Sequence, residues 1–193
     1  MELKLIEINE FKKDVYKQYK KLFPKAERKT YKTLEKGYYN RNAVFYKIIE
    51  DNNFVGFIIT QSVEDKPYIL LDYIAILPEY QCNGYGKHAI KELNKIISEK
   101  YQGIIIEVEK LGLGKNEKEN KIRQRRVDFY KELGAIDLNT DFKLFKIILS
   151  LYVLGSGDGI GNNDEIINNL ESIYNITLGE KRRSKYCKVI KNV

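Results

Sequence analysis

The chain has 193 residues, 43% of them hydrophobic and 32% charged, which is the composition of one ordinary globular domain with enough apolar material for a core. A wholly disordered chain is thereby excluded. The formal charge of +7 favours anionic partners such as phosphates, nucleic acid or acidic substrates, and says nothing about fold.

Leu3 to Ile8 alternates in the manner of a short strand. Asn9 caps an amphipathic helix to about Leu22, ended by Pro24, and a Lys-rich helical segment follows from Glu27 to Gly37. Val44 to Glu50 and Phe54 to Gln61, joined at Asp51-Asn52-Asn53, read as a β-hairpin. Tyr68 to Leu77 is a nearly continuous apolar run, the pattern of a central strand covered on both faces. The loop Pro78 to Gly84 leads into a helix from Tyr85 to Lys100, in which Ala89, Ile90, Leu93, Ile96 and Ile97 share one side. Gly103 opens a strand at Ile104 to Glu109, Leu111 to Asn120 reads as a loop, and Arg123 to Leu133 as a helix stopped by Gly134. Phe142 to Leu154 reads as one strand, Gly155 to Asn163 as a glycine-rich turn, and Asp164 to Tyr174 as a short helix before a basic tail from Gly179. This order predicts an α/β (α+β) fold. The expected domain spans residues 1–155, and residues 156–193 form a C-terminal helical extension and basic tail of the same domain.

Two cysteines, Cys82 and Cys187, make no disulfide framework, and no Cys/His cluster has zinc spacing, so no metal is expected. His88 is the one histidine, which leaves little for a Ser-His-Asp hydrolase to be built on; it reads as an ordinary helix residue. Met1 to Glu10 carries Glu2, Glu7 and Glu10 and lacks the apolar stretch of a secretory signal. The longest mainly apolar run, Ile147 to Leu154, falls far short of the ~20 residues that span a bilayer, so a cytoplasmic protein without a membrane partner is expected.

The most informative element is the apolar strand ending at Leu77, followed by Gln81-x-x-Gly84-x-Gly86 at the head of a helix. Backbone N–H groups at a helix N-terminus point outward unpaired, and the helix dipole places positive potential there. Glycine lets a ligand approach the backbone closely. Such a loop suits an anion, above all a pyrophosphate, with a tight strand-to-helix turn as the alternative. The run Gly155 to Gly161 lacks the Gly-Lys-Ser/Thr ending of a phosphate loop and reads as a turn.

In its context, Tyr73 to Gly86 resembles motif A of the GNAT superfamily of acyl-CoA N-acyltransferases, where Arg or Gln, two residues, Gly, one residue and Gly or Ala follow the fourth strand. Arg125 to Gly134 resembles motif B, a helix carrying Phe129-Tyr130 followed by Leu133-Gly134; the Asn common near its start is replaced here by Arg123. Asp72 to Ile76, Glu107-Val108-Glu109, Phe23-Pro24 and Glu27-Arg28 are similar to one bacterial subgroup of that superfamily. The resemblance implies a GNAT-like mixed, mostly antiparallel sheet of about six to seven strands flanked by helices and splayed between strands 4 and 5. It implies transfer of an acetyl group from acetyl-CoA to a primary amine of unknown identity by direct attack, without a covalent enzyme intermediate.

Residue by residue, the resemblance implies that the backbone of Ile74 and Ile76 pairs with the pantetheine amides, one N–H also facing the thioester carbonyl. Cys82, Asn83, Gly84, Tyr85 and Gly86, following Gln81, cradle the pyrophosphate through their amides. Lys87 or an arginine among Arg123, Arg125 and Arg126 reaches the adenosine 3′-phosphate. Tyr130 is the general acid for the departing thiolate, against the alternative that its ring only packs between Val127 and Leu133. Cys82 beside the pyrophosphate is away from the thioester, which argues against a nucleophilic thiol.

Acyl transfer needs a neutral amine and hence a base. Asp72 and Glu107, on the strands flanking the cleft, are the candidates, acting directly or through a water. Simple alternation puts Glu107 with Glu109 on one sheet face and Asp72 with Ile74 and Ile76 on one face. A carboxylate on an apolar strand needs a partner, and an arginine among Arg123, Arg125 and Arg126 is the expected one for Asp72.

Two other readings compete. A CoA-binding regulatory module without turnover would keep the glycine loop while Tyr130, Asp72 and Glu107 serve structure. A nucleic-acid-associated protein is suggested by Lys12, Lys13, Lys17, Lys20, Lys21, Lys25, Arg28, Lys29 and Lys32 interleaved with Tyr16, Tyr19 and Tyr31. The same lysines make a solvated helical face, which is the preferred reading. Family members are often dimers, so the resemblance leaves a homodimer open.

Overall fold

The computed structural model describes residues 1–155 and 159–191. In chain order it contains β1 (Glu2–Ile6), α1 (Ile8–Glu10), a π-helical stretch (Phe11–Val15), α2 (Tyr16–Leu22), α3 (Tyr31–Tyr39), β2 (Ala43–Glu50), β3 (Asn53–Gln61) and β4 (Tyr68–Ile76). These are followed by α4 (Tyr85–Ile97), β5 (Gly103–Glu109), α5 (Glu117–Lys131), β6 (Ile136–Leu144), β7 (Ile147–Gly155), α6 (Asn163–Leu178), α7 (Glu180–Tyr186) and β8 (Cys187–Lys191). No helix among the described residues is long and apolar enough to cross a membrane.

The strands form one mixed sheet in the order β1-β2-β3-β4-β5-β7-β6-β8, and β4–β5 is its parallel pair. Eight strands stand where six to seven were expected. The apolar run expected as one strand from Phe142 to Leu154 is broken at Phe145, whose φ of 54° turns the chain, and β6 begins earlier, at Ile136. The sequence of β6 is half polar, burying Leu138, Thr140, Asp141 and Phe142, so apolar counting passes over its first half. The tail supplies the remaining strand, β8, paired with β6.

Helix boundaries shift for local reasons. Thr30 caps α3 by accepting from the Thr33 N–H, so that helix starts at Tyr31 and not at Glu27. Asn116 caps α5 by accepting from the Glu119 N–H at 2.9 Å, making a first turn of what reads in the sequence as loop. The expected stop at Gly134, with φ of 90°, is present. α6 runs past Tyr174 to Leu178 and ends at Gly179. Part of the turn expected over Gly155 to Asn163 lies outside the described residues.

Alternate residues of β4 and β5 feed opposite cores. Ile69, Leu71, Ile104, Ile106 and Val108 pack under α4 and α5, with Ala89, Ile90, Leu93, Ile97 and Val127. Tyr68, Leu70 and Ile105 pack under α6, with Ile166, Leu170, Ile173 and Tyr174. The first helices close the remainder of that second face over Phe45, Phe57, Ile59 and Tyr73. Each such side chain contributes about 1.5–3 kcal/mol by leaving water. The tyrosines among the N-terminal lysines are spent inside this core: Tyr19 is fully buried, and Tyr16 meets Tyr31 edge-on at 5.3 Å.

Two irregularities of β4 position the site. Its register with β3 steps from Ile59↔Tyr73 to Thr60↔Leu71, leaving Asp72 as a β-bulge. Its pairing with β5 covers Tyr68↔Gly103 to Leu70↔Ile105 and then stops. Beyond the last β3 pair, at Gln61↔Leu70, the buried Asn169 of α6 takes the place of a strand. Its side-chain oxygen accepts from the Tyr68 N–H and its amide donates to the Tyr68 carbonyl, both at 3.0 Å. Replacing Asn169 by Leu leaves both backbone groups buried without partners, and a loss of about 1–3 kcal/mol for each is expected as a lower urea midpoint. An unchanged midpoint would show that α6 is held by apolar packing alone.

Candidate active site

The Leu77 N–H donates to the Val55 carbonyl at 2.8 Å, so by alternation Tyr73 and Ala75 also turn their backbone groups toward β3. Ile74 and Ile76 therefore present theirs to the side of β5, where the ladder has already ended. On the far wall the Lys110 N–H donates to the Ile148 carbonyl, which leaves the backbone of Glu107 and Glu109 facing the same wedge. At its mouth the Gln81 side chain donates to the Ile76 carbonyl at 3.0 Å.

Below that mouth a turn at Pro78–Tyr80 leads to Cys82, with φ of 66°, and Gly84, with φ of 78°, at the head of α4. Among the described residues, the N–H groups of Cys82, Asn83, Gly84, Tyr85 and Gly86 bond to no protein acceptor; Lys87 is the first to bond back, onto the Gly84 carbonyl at 3.0 Å. A Cβ at Gly84 would meet nothing within 4 Å, whereas one at Gly86 would lie 3.4 Å from the Phe129 ring. Gln81, Cys82, Asn83 and Gly84 are exposed, and the Asn83 side chain donates to the Tyr80 carbonyl. A free amide edge running into a nest of free N–H groups fits the pantetheine and pyrophosphate of a CoA thioester.

The cations expected to meet a 3′-phosphate are mostly engaged. Lys87 pairs with Glu132, Arg126 with Glu109, and the buried Arg123 with Glu119, Glu109 and the Lys110 carbonyl. Arg125 is exposed and has no ion pair among the described residues.

Both candidate bases lie at the wedge, in unlike surroundings. The arginine expected beside Asp72 is not its partner: Asp72 accepts from the Lys29 ammonium at 2.6 Å and from the Gln61 amide at 2.8 Å. Nor does Asp72 share a face with Ile74 and Ile76, which pack toward α4 and α5; the bulge turns it to the opposite side, beside Gln61. Among the described residues Glu107 has no ion pair, and Tyr174 of α6 donates to its two oxygens at 2.9 and 2.7 Å. Burial pushes Glu107 up to about 7; the Tyr174 bond opposes that, the Asp72 charge adds to it and Lys29 opposes it. Glu109, expected on the same face, is drawn at the strand end to Arg123 and Arg126.

Tyr130 packs on the α4–α5 side of the sheet, its ring edge-on to Phe129 at 5.0 Å. Burial pushes its phenol up to about 12, against the charge of Arg126, and its hydroxyl has no hydrogen-bond partner among the described residues. It is thus a protonated donor at neutral pH. Packing and an available hydroxyl coexist. Lys29, Gln61, Tyr174 and Thr177 were not singled out in the sequence as site residues; Tyr174 reads there as one more apolar position after Ile166, Leu170 and Ile173.

A sheet parted between its parallel strands, with a free-amide nest below the parting, defines an acyl-CoA-dependent N-acyltransferase. The sequence model of the Acetyltransferase (GNAT) family matches residues 12–135, and the chain belongs to that family, whose fold takes acetyl-CoA as acyl donor. A structure described as a GNAT-family acetyltransferase from Bacteroides thetaiotaomicron superposes with a TM-score of 0.68 at 18% identity, over 93% of this chain and 99% of that one. The ribosomal-protein-S18-alanine N-acetyltransferase of Escherichia coli gives 0.60 at 18% identity, over 84% and 97%. A chimera of the spermidine N-acetyltransferase SpeG of Vibrio cholerae with hSSAT gives 0.61 at 13%, over 81% and 97%. At these identities the likeness is one of fold. No curated protein matches the chain.

The raised titration of Glu107 has a consequence for stability. The folded chain holds that proton more tightly than the unfolded one, so the contribution is present below the ordinary carboxylate range and lost as pH rises toward 7. Glu107→Gln removes the loss. Between pH 4.5 and 8, urea unfolding should move in favour of the variant by about 1–3 kcal/mol relative to the wild type. A difference that stays constant with pH would mean that Glu107 titrates as an ordinary surface carboxylate.

Proposed function

We propose that the chain transfers the acetyl group of acetyl-CoA to a primary amine, by direct attack of the amine on the thioester and without a covalent enzyme intermediate. The observation that carries this reading is the wedge between β4 and β5, which has the free amide edge of Ile74 and Ile76 on one wall and Glu107 on the other. In this reading Ile74 and Ile76 align the pantetheine arm, and Gln81 orders the loop in which Cys82, Asn83, Gly84, Tyr85 and Gly86 hold the pyrophosphate, bordered by Lys87.

Acetyl-CoA supplies an activated acyl group. The N–H groups directed into the wedge donate to the carbonyl oxygen as it gains charge, a contribution that typically amounts to on the order of 100- to 1,000-fold in rate. Glu107 takes the proton of the attacking nitrogen; a base titrating near 7 is matched to that work at neutral pH. As the new C–N bond forms and the C–S bond breaks, Tyr130 gives its proton to the departing sulfur. Asp72, engaged by Lys29 and Gln61, is not the base in this reading; its charge helps to keep the proton affinity of Glu107 high. Neighbours named for spermidine and for ribosomal-protein-S18 alanine support an amine as the acceptor class.

Two measurements test the reading. Acetyl-CoA at about 100 times its Kd should stabilise the fold by roughly 2.7 kcal/mol, a rise of about 5–10 °C in Tm, and Gly84→Val, which strains the positive φ of the loop and crowds its open side, should abolish most of the rise. No rise at millimolar acetyl-CoA would remove the basis for the site. Tyr130→Phe should lower kcat by about 100- to 10,000-fold while leaving the acetyl-CoA Kd within a few-fold. Turnover equal to that of the wild type would assign Tyr130 to packing.

A further inference from the structure

α6 lies outside residues 12–135, which the family model matches, yet it reaches both carboxylates of the wedge. Tyr174 is 5% exposed, its ring is stacked on Phe142 of β6 at 5.2 Å and 17°, and its hydroxyl spans the two oxygens of Glu107. One helical turn further on, the Thr177 hydroxyl donates to the Gln61 side-chain oxygen at 2.8 Å, and the amide of the same Gln61 donates to Asp72. Asn169, five residues before Tyr174, fixes the helix to the first residue of β4. The hydroxyl therefore meets Glu107 from a helix held on either side of it.

We propose that Tyr174 is a positioning residue for acetyl transfer, its hydroxyl holding the Glu107 carboxylate in one orientation and stabilising its ionised form, so that α6 sets the pH at which the base becomes available. This rests on the reading of Glu107 as the base. The physical basis is that a neutral hydroxyl bonds a carboxylate more strongly than a carboxylic acid, which favours ionisation. The other groups facing Glu107 are Asp72 from β4, Lys29 from the segment before α3, and Cys187 from β8. Burial, then the charge of Glu107, pushes the Cys187 thiol up to about 11, so it stays uncharged through the working range. Tyr174 is itself pushed well above the ordinary phenol range by burial and by Glu107, and it remains a donor throughout. Without the hydroxyl, burial and Asp72 are opposed by Lys29 alone, and the carboxyl must titrate higher. Phenylalanine would fill the same space and keep the stacking on Phe142, so the hydroxyl separates positioning from packing.

The test is Tyr174→Phe in the full chain labelled with carboxyl carbon-13 glutamate, the Glu107 resonance being assigned as the one missing from Glu107→Gln. The Glu107 midpoint should move up by about one pH unit, and it is read without any acceptor. The acidic limb of kcat/KM for acetyl transfer from acetyl-CoA to butylamine, where the rate rises as the base ionises, should move up with it, the high-pH plateau staying within a few-fold. An unmoved carboxyl midpoint, or an equal loss of rate at every pH, would overturn the role of Tyr174. The base reading fails separately, if Glu107→Gln leaves the limb in place. Should Tyr174→Phe not fold, 3-fluorotyrosine placed at position 174 keeps the hydroxyl and strengthens it as a donor. The midpoint must then move down, and a midpoint that stays in place would again overturn the proposal.

Discussion

The structure depends on a hydrogen-bond ladder that stops early. β4 and β5 pair through Leu70↔Ile105 and then separate, although both strands continue, to Ile76 and Glu109. Leaving backbone groups unpaired inside a sheet is costly, and a fold that keeps such a wedge must hold it open by other means. The Asp72 bulge redirects β4 just past the last pair, and Gln81 occupies the Ile76 carbonyl at the far end. α4 and α5 cover one face of the two strands, and α6 covers the other. Each wall stays paired on its outer side, β4 with β3 on either side of the bulge and β5 with β7 along its length. The wedge is a gap between two rigid half-sheets, and whatever enters it finds strand-like partners already oriented.

The electrostatics of that wedge run against the charge of the chain. A protein of formal charge +7 places Asp72, Glu107 and Glu109 around one opening, and each is treated differently. Glu109 is bound by two arginines at the strand end. Asp72 accepts from an ammonium and an amide. Glu107 receives a neutral hydroxyl only, so burial dominates and its proton affinity rises. Two carboxyl groups of similar chemistry thereby meet unlike surroundings, and the buried one, Glu107, holds its proton more tightly.

What could be read in the sequence is what is encoded locally. The buried pattern of Tyr68 to Leu77 and the glycines at 84 and 86 are contiguous, and their geometry follows from neighbours in the chain. The partner of Asp72 is not legible in the sequence, because one bulged residue reverses its face and strict alternation cannot register an extra residue. Its true partner, Lys29, is 43 residues away, and the partner of Glu107 is 67 residues away. Tyr174 was hidden for a further reason: on an apolar helix face a tyrosine looks like core, and its ring is core, with only the oxygen belonging to the site. β6 escaped notice because its buried positions include Thr140 and Asp141, which hydropathy scores as surface.

Gln61 shows how closely the two carboxylates are tied to α6. An ionised carboxylate can only accept, so the amide of Gln61 must turn its nitrogen toward Asp72 and leave its oxygen on the other side. That oxygen lies 2.8 Å from the Thr177 hydroxyl, whose single proton is shared between it and the Ile173 carbonyl at 2.9 Å. Reversing the amide would set oxygen against oxygen at Asp72 and forfeit a charge-assisted bond. Asp72 is thus joined through the Gln61 amide to Thr177 of α6, and one turn earlier the same helix presents Tyr174 to Glu107. The hydroxyl that lowers the proton affinity of Glu107 belongs to α6, and the charge that raises it, on Asp72 of β4, is linked to the same helix through Gln61.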